Sequence, residues 1–213
     1  MIKIFAHRGY LLDKNNNILP QNSMASFYNA IDFGFNKIEF DLWLINNELI
    51  ISHDYPKIIS TCPKFIDYLC FQNQLEYWLD FKNIDENNID QIVDLIKINI
   101  DQMAINYQQI FFAPYCLNYD LTAKIKKKLV LKFNQEINFV AVCDDYKQFD
   151  KLLELLVNNN IKYVSIDHKL LNNEVINKFK NIEFLAWTVN DQESFEYLKS
   201  IGIKIFASDC LIR

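Results

Sequence analysis

Two patterns of hydrophobic and polar residues alternate along the whole chain. Short runs rich in Ile, Val, Phe and Tyr are typical of buried strands, and they are followed by segments in which apolar residues recur at helical spacing. Because strands and helices alternate strictly, the pattern predicts a parallel sheet with helices outside it. The predicted strands are IKIFAHRG, KIEFDLWLI, EYWLDFK, QIFFAPY, INFVAVCDD, KYVSIDH, EFLAWTVN and KIFASD.

About eight strand–helix units in 213 residues predict a closed (β/α)8 TIM barrel of small size. The segment ELIISHD is interpreted as an extension of the second strand, joined to it by a turn at Asn46 and Asn47. Asn22 or Ser23 is expected to cap the first helix, and Gly34 to end it. No linker or change of composition divides the chain, so we expect a single domain over residues 1–213.

The composition of the chain limits the kinds of partner and of cellular environment that we expect for it. The chain is 51% hydrophobic, which allows a large core, and its net charge of −5 argues against a nucleic-acid partner. No apolar run reaches the roughly 18 residues that a membrane span requires. The five cysteines form no CxxC pair and are interpreted as small buried side chains in a reducing cytoplasm. None of these properties predicts an oligomeric state.

Carboxylates at the ends of two predicted strands are the first chemical signal. Glu39 and Asp41 are two positions apart in KIEFDLWLI, so both side chains point to one face of the strand. Burying them unpaired would cost several kcal/mol each, and either salt bridges or a shared cation with Asp80 would remove that cost. Oxygen ligands favour one divalent cation, Mg²⁺ or Ca²⁺, over zinc.

Basic residues also follow strands that are predicted to end on the same side of the barrel. Arg8 and Lys82 would give the site a positive balance, which suits a phosphodiester with its single charge. His7 and His53 could then serve as acid and base. Taken alone, His7 also fits a structural, hydrogen-bonded role, and it is the shared position at strand ends that favours chemistry. His168 has no carboxylate pair beside it and is interpreted as structural.

Several segments together resemble the glycerophosphodiester phosphodiesterases, which belong to a wider group of barrel phosphodiesterases that includes phosphoinositide-specific phospholipase C. The matching segments occur in the family's order and span nearly the whole chain. They are AHRGY, PQNSMASFYNAIDFG, IEFDLWL, ISHD, LDFK, AWTVN and GIKIFASD. The resemblance implies a phosphoric diester hydrolase on a TIM barrel. It implies these roles: catalysis by His7 and His53, metal binding by Glu39, Asp41 and Asp80, and substrate binding by Arg8, Lys82 and Trp187.

Three departures from the family's pattern bear on this interpretation. The third metal ligand is usually Glu and here is Asp80, as in the spider-venom-type phospholipase D relatives. Gln21 stands where the family has Glu, and this loss of charge leaves open a non-catalytic, anion-binding barrel. The segment from Tyr55 to Gln74 is shorter than the family's insertion, which helps to enclose glycerol. A lipid headgroup or a sugar phosphodiester is therefore an alternative substrate.

The resulting hypothesis is a cytoplasmic enzyme of lipid metabolism that hydrolyses a small phosphodiester, in first place a glycerophosphodiester, with one divalent cation. Trp187 alone would fit a core position, but the resemblance implies that it lines the substrate pocket. The short segment after His53 predicts a pocket mouth that is open on that side.

Overall fold

A computed structural model describes residues 1–210 of the chain, apart from the side chains of residues 72 and 73. The last three residues of the expected domain, 211–213, lie outside the described residues. The strands are β1 (Lys3–His7), β2 (Lys37–Ile45), β3 (Glu48–Ile51), β4 (Glu76–Phe81), β5 (Ile110–Pro114), β6 (Asn138–Cys143), β7 (Tyr163–Asp167), β8 (Glu183–Trp187) and β9 (Ile205–Ser208).

Helices follow the strands as the hydrophobic pattern predicts. They are α1 (Met24–Asp32), α2 (Phe65–Tyr68), α3 (Ile89–Gln102), α4 (Tyr119–Phe133), α5 (Phe149–Asn158), α6 (Asn173–Lys178) and α7 (Gln192–Ser200). Among the described residues, none of these helices combines the length and the apolarity needed to cross a bilayer.

Eight of the strands form a closed parallel barrel. The order around the ring is β1, β2, β4, β5, β6, β7, β8 and β9, and β9 pairs with β1 to close it. The predicted (β/α)8 barrel is therefore confirmed. The register places His7 beside Glu39 and Asp41 beside Asp80, at the level where β1 and β4 end and β2 continues into its hairpin with β3.

The strand β3 differs from its predicted role as an extension of β2. It runs antiparallel to β2, with Ile51 paired to Leu42, and lies outside the parallel ring. The reason is local: Asn46 and Asn47 both have a left-handed backbone, with φ of 51° and 63°. Two successive left-handed residues reverse the chain into a tight hairpin. The hairpin brings the segment after β3 back to Asp41, in the middle of β2, where the amide of Ser52 donates to the Asp41 carbonyl at 3.2 Å.

Apolar side chains and an ion pair close the lower part of the barrel. The ring of Phe5 meets the rings of Trp78 and Phe111 edge-on, with centroids 5.7 Å apart in both pairs. Lys37 lies 2.9 Å from Glu76 at the amino ends of the strands. Since the lower interior is filled in this way, the polar side chains at the carboxyl ends of the strands face the upper mouth.

The connection from β1 to α1 is wound tightly against the first turn of the helix. Arg8 and Gly9 have φ of 56° and 82°, in the left-handed region. The hydroxyl of Ser26 donates to the carbonyl of Arg8 at 3.1 Å, and the amide of Tyr10 donates to the carbonyl of Ser26 at 2.9 Å. Ser23 is the residue that caps α1. This packing sets the position of Arg8 above the barrel.

Substitutions at Gly9 and Gly34 distinguish the energetic cost of a left-handed backbone from the cost of close packing. A Cβ atom on Gly9 would lie 2.6 Å from the hydroxyl oxygen of Ser26, whereas a Cβ on Gly34, also at φ of 82°, meets nothing within 4 Å. We expect Gly34→Ala to lower the free energy of unfolding by about 1–2 kcal/mol, through backbone strain alone. Gly9→Ala should cost about 1–3 kcal/mol more, through overpacking. Urea denaturation of both variants measures the difference, and equal losses would contradict it.

Candidate active site

A pocket of about 300 Å³ opens at the carboxyl ends of the strands. Seven of the eight predicted site residues line it, and the eighth, Asp41, is buried beside them with a 1% exposed side chain. The pocket is lined by His7, Arg8, Glu39, His53, Trp78, Asp80, Lys82, Tyr115, Val142, Ser165, Trp187 and Ala207. The structure thus brings the residues predicted from separate strand ends into one place.

Three carboxylates crowd together on one side of the pocket. Glu39, Asp41 and Asp80 each offer an oxygen, and these three oxygens lie within 4.8 Å of one another. Burial raises the pKa of Glu39 to about 7, and the neighbouring Asp41 carboxylate adds to the effect. Burial, opposed by Lys82, raises the pKa of Asp80 to about 6. Like charges held this close disfavour ionisation unless a cation balances them.

Two basic side chains partly balance this cluster. The Nζ of Lys82 lies 2.7 Å from Asp41 Oδ1 and 2.7 Å from Asp80 Oδ2. The Nε of Arg8 lies 3.1 Å from Asp41 Oδ2, so the two groups form an ion pair. The geometry of this contact does not meet that of a hydrogen bond. Burial lowers the pKa of Lys82, but the carboxylates of Asp80 and Asp41 more than offset this, so the ammonium is held charged.

The carboxylate cluster fits a hard divalent cation. Asp80 Oδ1 is buried and has no hydrogen-bond partner among the described residues, whereas Lys82 contacts the other oxygen, Oδ2. A buried polar atom without a partner is rare in folded proteins, and here it is an oxygen that a cation could use. All three side chains offer oxygen, which is the donor that Mg²⁺ and Ca²⁺ prefer. Glu39, Asp41 and Asp80 would hold such an ion.

Asn22 and Gln21 both contact the site: Gln21 replaces the family's Glu, as noted from the sequence, whereas Asn22 was expected only as a helix cap. The Nδ2 of Asn22 donates to Asp41 Oδ2 at 2.7 Å, and its Oδ1 accepts from the Asp41 amide at 3.3 Å. Asn22 therefore orients a carboxylate and leaves the capping of α1 to its neighbour. Gln21 Oε1 accepts from Nη1 of Arg8 at 2.8 Å, so the amide still orients the guanidinium without a charge.

His7 is held between two carboxylates. Its Nδ1 lies 2.7 Å from Asp209 Oδ1, a hydrogen-bond distance, and its Nε2 lies 3.8 Å from Glu39 Oε2. Burial lowers the pKa of His7, but Glu39 and Asp209 more than compensate, so its pKa is raised. Asn190 donates to the second oxygen of Asp209 at 2.7 Å. Asp209 was not among the predicted site residues, and its place directly after the last strand was the available signal.

His53 lies in a more open and more positive environment. Its Nδ1 is 2.9 Å from Asp54 Oδ1, and its carbonyl accepts from the indole nitrogen of Trp43 at 3.2 Å. Burial lowers the pKa of His53, and the positive charge of Arg8 lowers it further. The side chain of His53 is 34% exposed and that of Asp54 is 88% exposed. The pocket is therefore in contact with solvent on this side.

The wall opposite the carboxylates combines aromatic and small side chains. Trp187 lines it, together with Val142 and Ser165, and Tyr115 lies at its edge beside Lys82. The hydroxyl of Tyr115 donates to Asp144 at 2.7 Å, which ties together the connections that follow β5 and β6.

His168 lies behind this wall, where its Nδ1 donates to the carbonyl of Trp187 at 3.2 Å. It is absent from the pocket lining. This contact agrees with the structural role that the sequence suggested for His168.

A TIM barrel with this combination of carboxylates, basic side chains and histidines at its upper mouth is suited to phosphate ester chemistry. No family model matches the sequence, and a search of curated proteins finds no matching relative. The comparison with solved structures is informative, because it finds proteins of the same fold over nearly the full length of both chains.

Three of these structures illustrate the likeness. A protein of Silicibacter pomeroyi described as a glycerophosphoryl diester phosphodiesterase has a TM-score of 0.78 and 11% identity, covering 99% of this chain and 90% of its own. A phosphodiesterase of Oleispira antarctica, solved with the product sn-glycerol-3-phosphate, has a TM-score of 0.73 and 16% identity, covering 97% and 92%. A glycerophosphodiester phosphodiesterase of Parabacteroides distasonis has a TM-score of 0.75 and 17% identity, covering 97% and 92%.

The resemblance inferred from the motifs is therefore confirmed at the level of the fold. At identities of 11–17%, the likeness establishes the barrel and its topology. What the chain does depends on its own site residues.

A divalent cation bound by the three carboxylates should stabilise the folded chain. Mg²⁺ or Ca²⁺ at about 100 times its Kd should raise the free energy of unfolding by about 2.7 kcal/mol, since the ion binds only the folded chain. Asp80→Asn removes one ligand and should abolish most of this gain. Thermal denaturation with and without the ion measures it. Asp54→Asn, at an exposed carboxylate on the same rim, should keep the full gain, and an equal loss in both variants would contradict the three-carboxylate site.

Proposed function

We propose that this protein is a divalent-metal-dependent phosphodiesterase that hydrolyses a glycerophosphodiester by two-histidine acid–base catalysis. The observation that carries the proposal is the meeting, around one pocket, of two histidines, two basic side chains and three carboxylates suited to a cation. The fold is shared with a glycerophosphodiester phosphodiesterase and with a phosphodiesterase solved with the product sn-glycerol-3-phosphate, which supports the same substrate class.

Binding of the phosphodiester would use the basic side of the pocket. Arg8 and Lys82 both line the cavity, and each can donate to a non-bridging phosphate oxygen. Gln21 and Asp41 hold the guanidinium of Arg8 in place, so that little of its freedom is lost when the substrate binds. A divalent cation bound by the carboxylates supplies further positive charge to the phosphate oxygens.

The two histidines would carry the protons. One removes a proton from the attacking hydroxyl, which belongs either to water or to the substrate itself, as a new P–O bond forms. The other donates a proton to the leaving alkoxide as the old P–O bond breaks. His7 is oriented for this by Asp209, and its Nε2 faces the carboxylate side of the pocket. His53 acts from the open side.

Substitution of either histidine tests this mechanism. His7→Ala and His53→Ala should each lower kcat by roughly 10²–10⁴-fold, the usual contribution of a positioned acid or base. Glycerophosphodiester turnover with added Mg²⁺ or Ca²⁺ is the measurement. An alkyl leaving group is needed, because nitrophenolate leaves without help from an acid.

His168→Ala is the matched control for the two histidine variants. It removes the third histidine, which lies outside the pocket lining, and it should cost less than either of the other substitutions. Near-normal turnover in His7→Ala or His53→Ala would refute the role of that residue.

The choice of substrate follows from the shape of the mouth. Because Asp54 and Tyr55 are mostly exposed beside His53, this side would do little to enclose a small alcohol. A lipid headgroup or a sugar phosphodiester is therefore the second candidate. A screen of glycerophosphodiesters, lysolipids and sugar phosphodiesters separates the candidates. A protein that binds phosphodiesters but turns none over would be a non-catalytic, anion-binding barrel.

Trp187 is the residue that we expect to recognise the alcohol part of the substrate. Its indole lines the wall opposite the carboxylates, where it can stack on a sugar or cover an alkyl stem. Trp187→Ala should raise KM more than it lowers kcat, because binding is lost while the acid–base machinery remains. Steady-state kinetics on the best substrate of the screen decide this. An unchanged KM with a collapsed kcat would instead mean that Trp187 supports the catalytic residues.

We further propose that the barrel is a single domain over residues 1–213 and acts in the cytoplasm on a small-molecule phosphodiester. All five cysteines are free, which suits a reducing compartment.

A further inference from the structure

Lys82 contacts the same carboxylates that a divalent cation would bind. Its Nζ is 2.7 Å from Asp41 Oδ1 and 2.7 Å from Asp80 Oδ2, so it bridges two of the three carboxylates that would hold the ion. Divalent cations bind carboxylate oxygens at about 2.0–2.6 Å. An ammonium that kept both contacts would then lie a few ångströms from the ion, where the repulsion between the two positive charges is strong.

In the same conformation, Lys82 also has an aromatic neighbour that could hold its ammonium once the carboxylates are released. The Nζ lies 5.1 Å from the centroid of the Tyr115 ring, over its face, which is favourable for a cation. Tyr115 is itself held by Asp144, and both Tyr115 and Lys82 line the pocket. An ammonium that leaves the carboxylates can therefore stay within the pocket and face a bound anion.

We propose that Lys82 is a built-in competitor of the divalent cation: it bridges Asp41 and Asp80 when no cation is bound, and it must release them before a cation binds. The inference rests on the metal site of the proposed function and deepens it. It has two consequences. The site binds cations more weakly than its three carboxylates alone would, and Lys82 is freed for the substrate phosphate only when the ion is in place.

The test is direct binding of Mn²⁺, followed by electron paramagnetic resonance of the free ion. Lys82→Met removes the ammonium and keeps most of the apolar stem. We expect it to bind Mn²⁺ at least tenfold more tightly than the wild type. Lys37→Met is the matched control, since Lys37 is also a buried barrel lysine paired with a carboxylate, Glu76, at the opposite end of the strands. Its Mn²⁺ affinity should equal that of the wild type.

Two further measurements separate direct competition from a general change of charge. The difference between Lys82→Met and the wild type should persist at about 0.5 M KCl, because salt screens distant charges far more than a buried contact. Without a cation, Lys82→Met should melt at a lower temperature than the wild type, and saturating Mn²⁺ should narrow the gap. If Lys82→Met fails to fold without the ion, Lys82→Gln takes its place in both measurements.

Each outcome bears on a distinct claim. Tighter Mn²⁺ binding by the Lys82 variant alone, at both salt concentrations, supports the inference. Equal or weaker binding than the wild type overturns it and leaves the proposed hydrolysis intact. A gain that disappears in high salt, or that Lys37→Met shares, also overturns it. Failure of every variant and of the wild type to bind Mn²⁺ overturns the metal site, and this inference with it.

Discussion

The repulsion among three buried carboxylates is the constraint on which the rest of the site depends. The parallel register of β2 and β4 sets Asp41 beside Asp80, and the alternation of side chains along β2 brings Glu39 to the same face. Charges held this close must be balanced. Arg8 and Lys82 lie against the cluster for that reason, and the same two side chains then face the pocket that an anion would enter.

The loop after β1 and the segment before α1 act as one structural unit around this cluster. Because Gly9 has no side chain, the backbone can pack directly against Ser26, and this contact places Arg8 above the barrel. Asn22, at the end of the same loop, holds both the backbone and the side chain of Asp41. The amide of Arg8 also donates to Glu39 Oε2 at 2.9 Å. Hydrogen bonds from neighbouring backbone and side chains therefore position the charged groups before any ligand arrives, which is how preorganised sites limit the cost of binding.

The pocket is chemically uneven, and this asymmetry suits an ester of phosphate with an alcohol. Its charged side contains the carboxylates, the basic residues and both histidines. Its other side is built from Trp187 and small side chains from β6 and β7, and Tyr115 lies between the two sides. A phosphodiester has the same division, with a charged centre and less polar substituents. In the proposed function, the exposed rim beside His53 would enclose little of the alcohol, so the wall with Trp187 would discriminate among alcohols.

Local pattern and tertiary contact determined different parts of this protein. The bounds of β2, the alternation of strands and helices, and the placement of polar residues at strand ends could all be predicted from the sequence, because each depends on neighbouring residues and on the pleat of a strand. The pairing of His7 with Asp209, residues 202 positions apart, exists only because β9 closes the barrel against β1. The contact of Asn22 with Asp41 and the bridge made by Lys82 likewise arise between elements that periodicity cannot relate. Sequence spacing thus determined which residues face the mouth of the barrel, and the closure of the ring decided which of them touch.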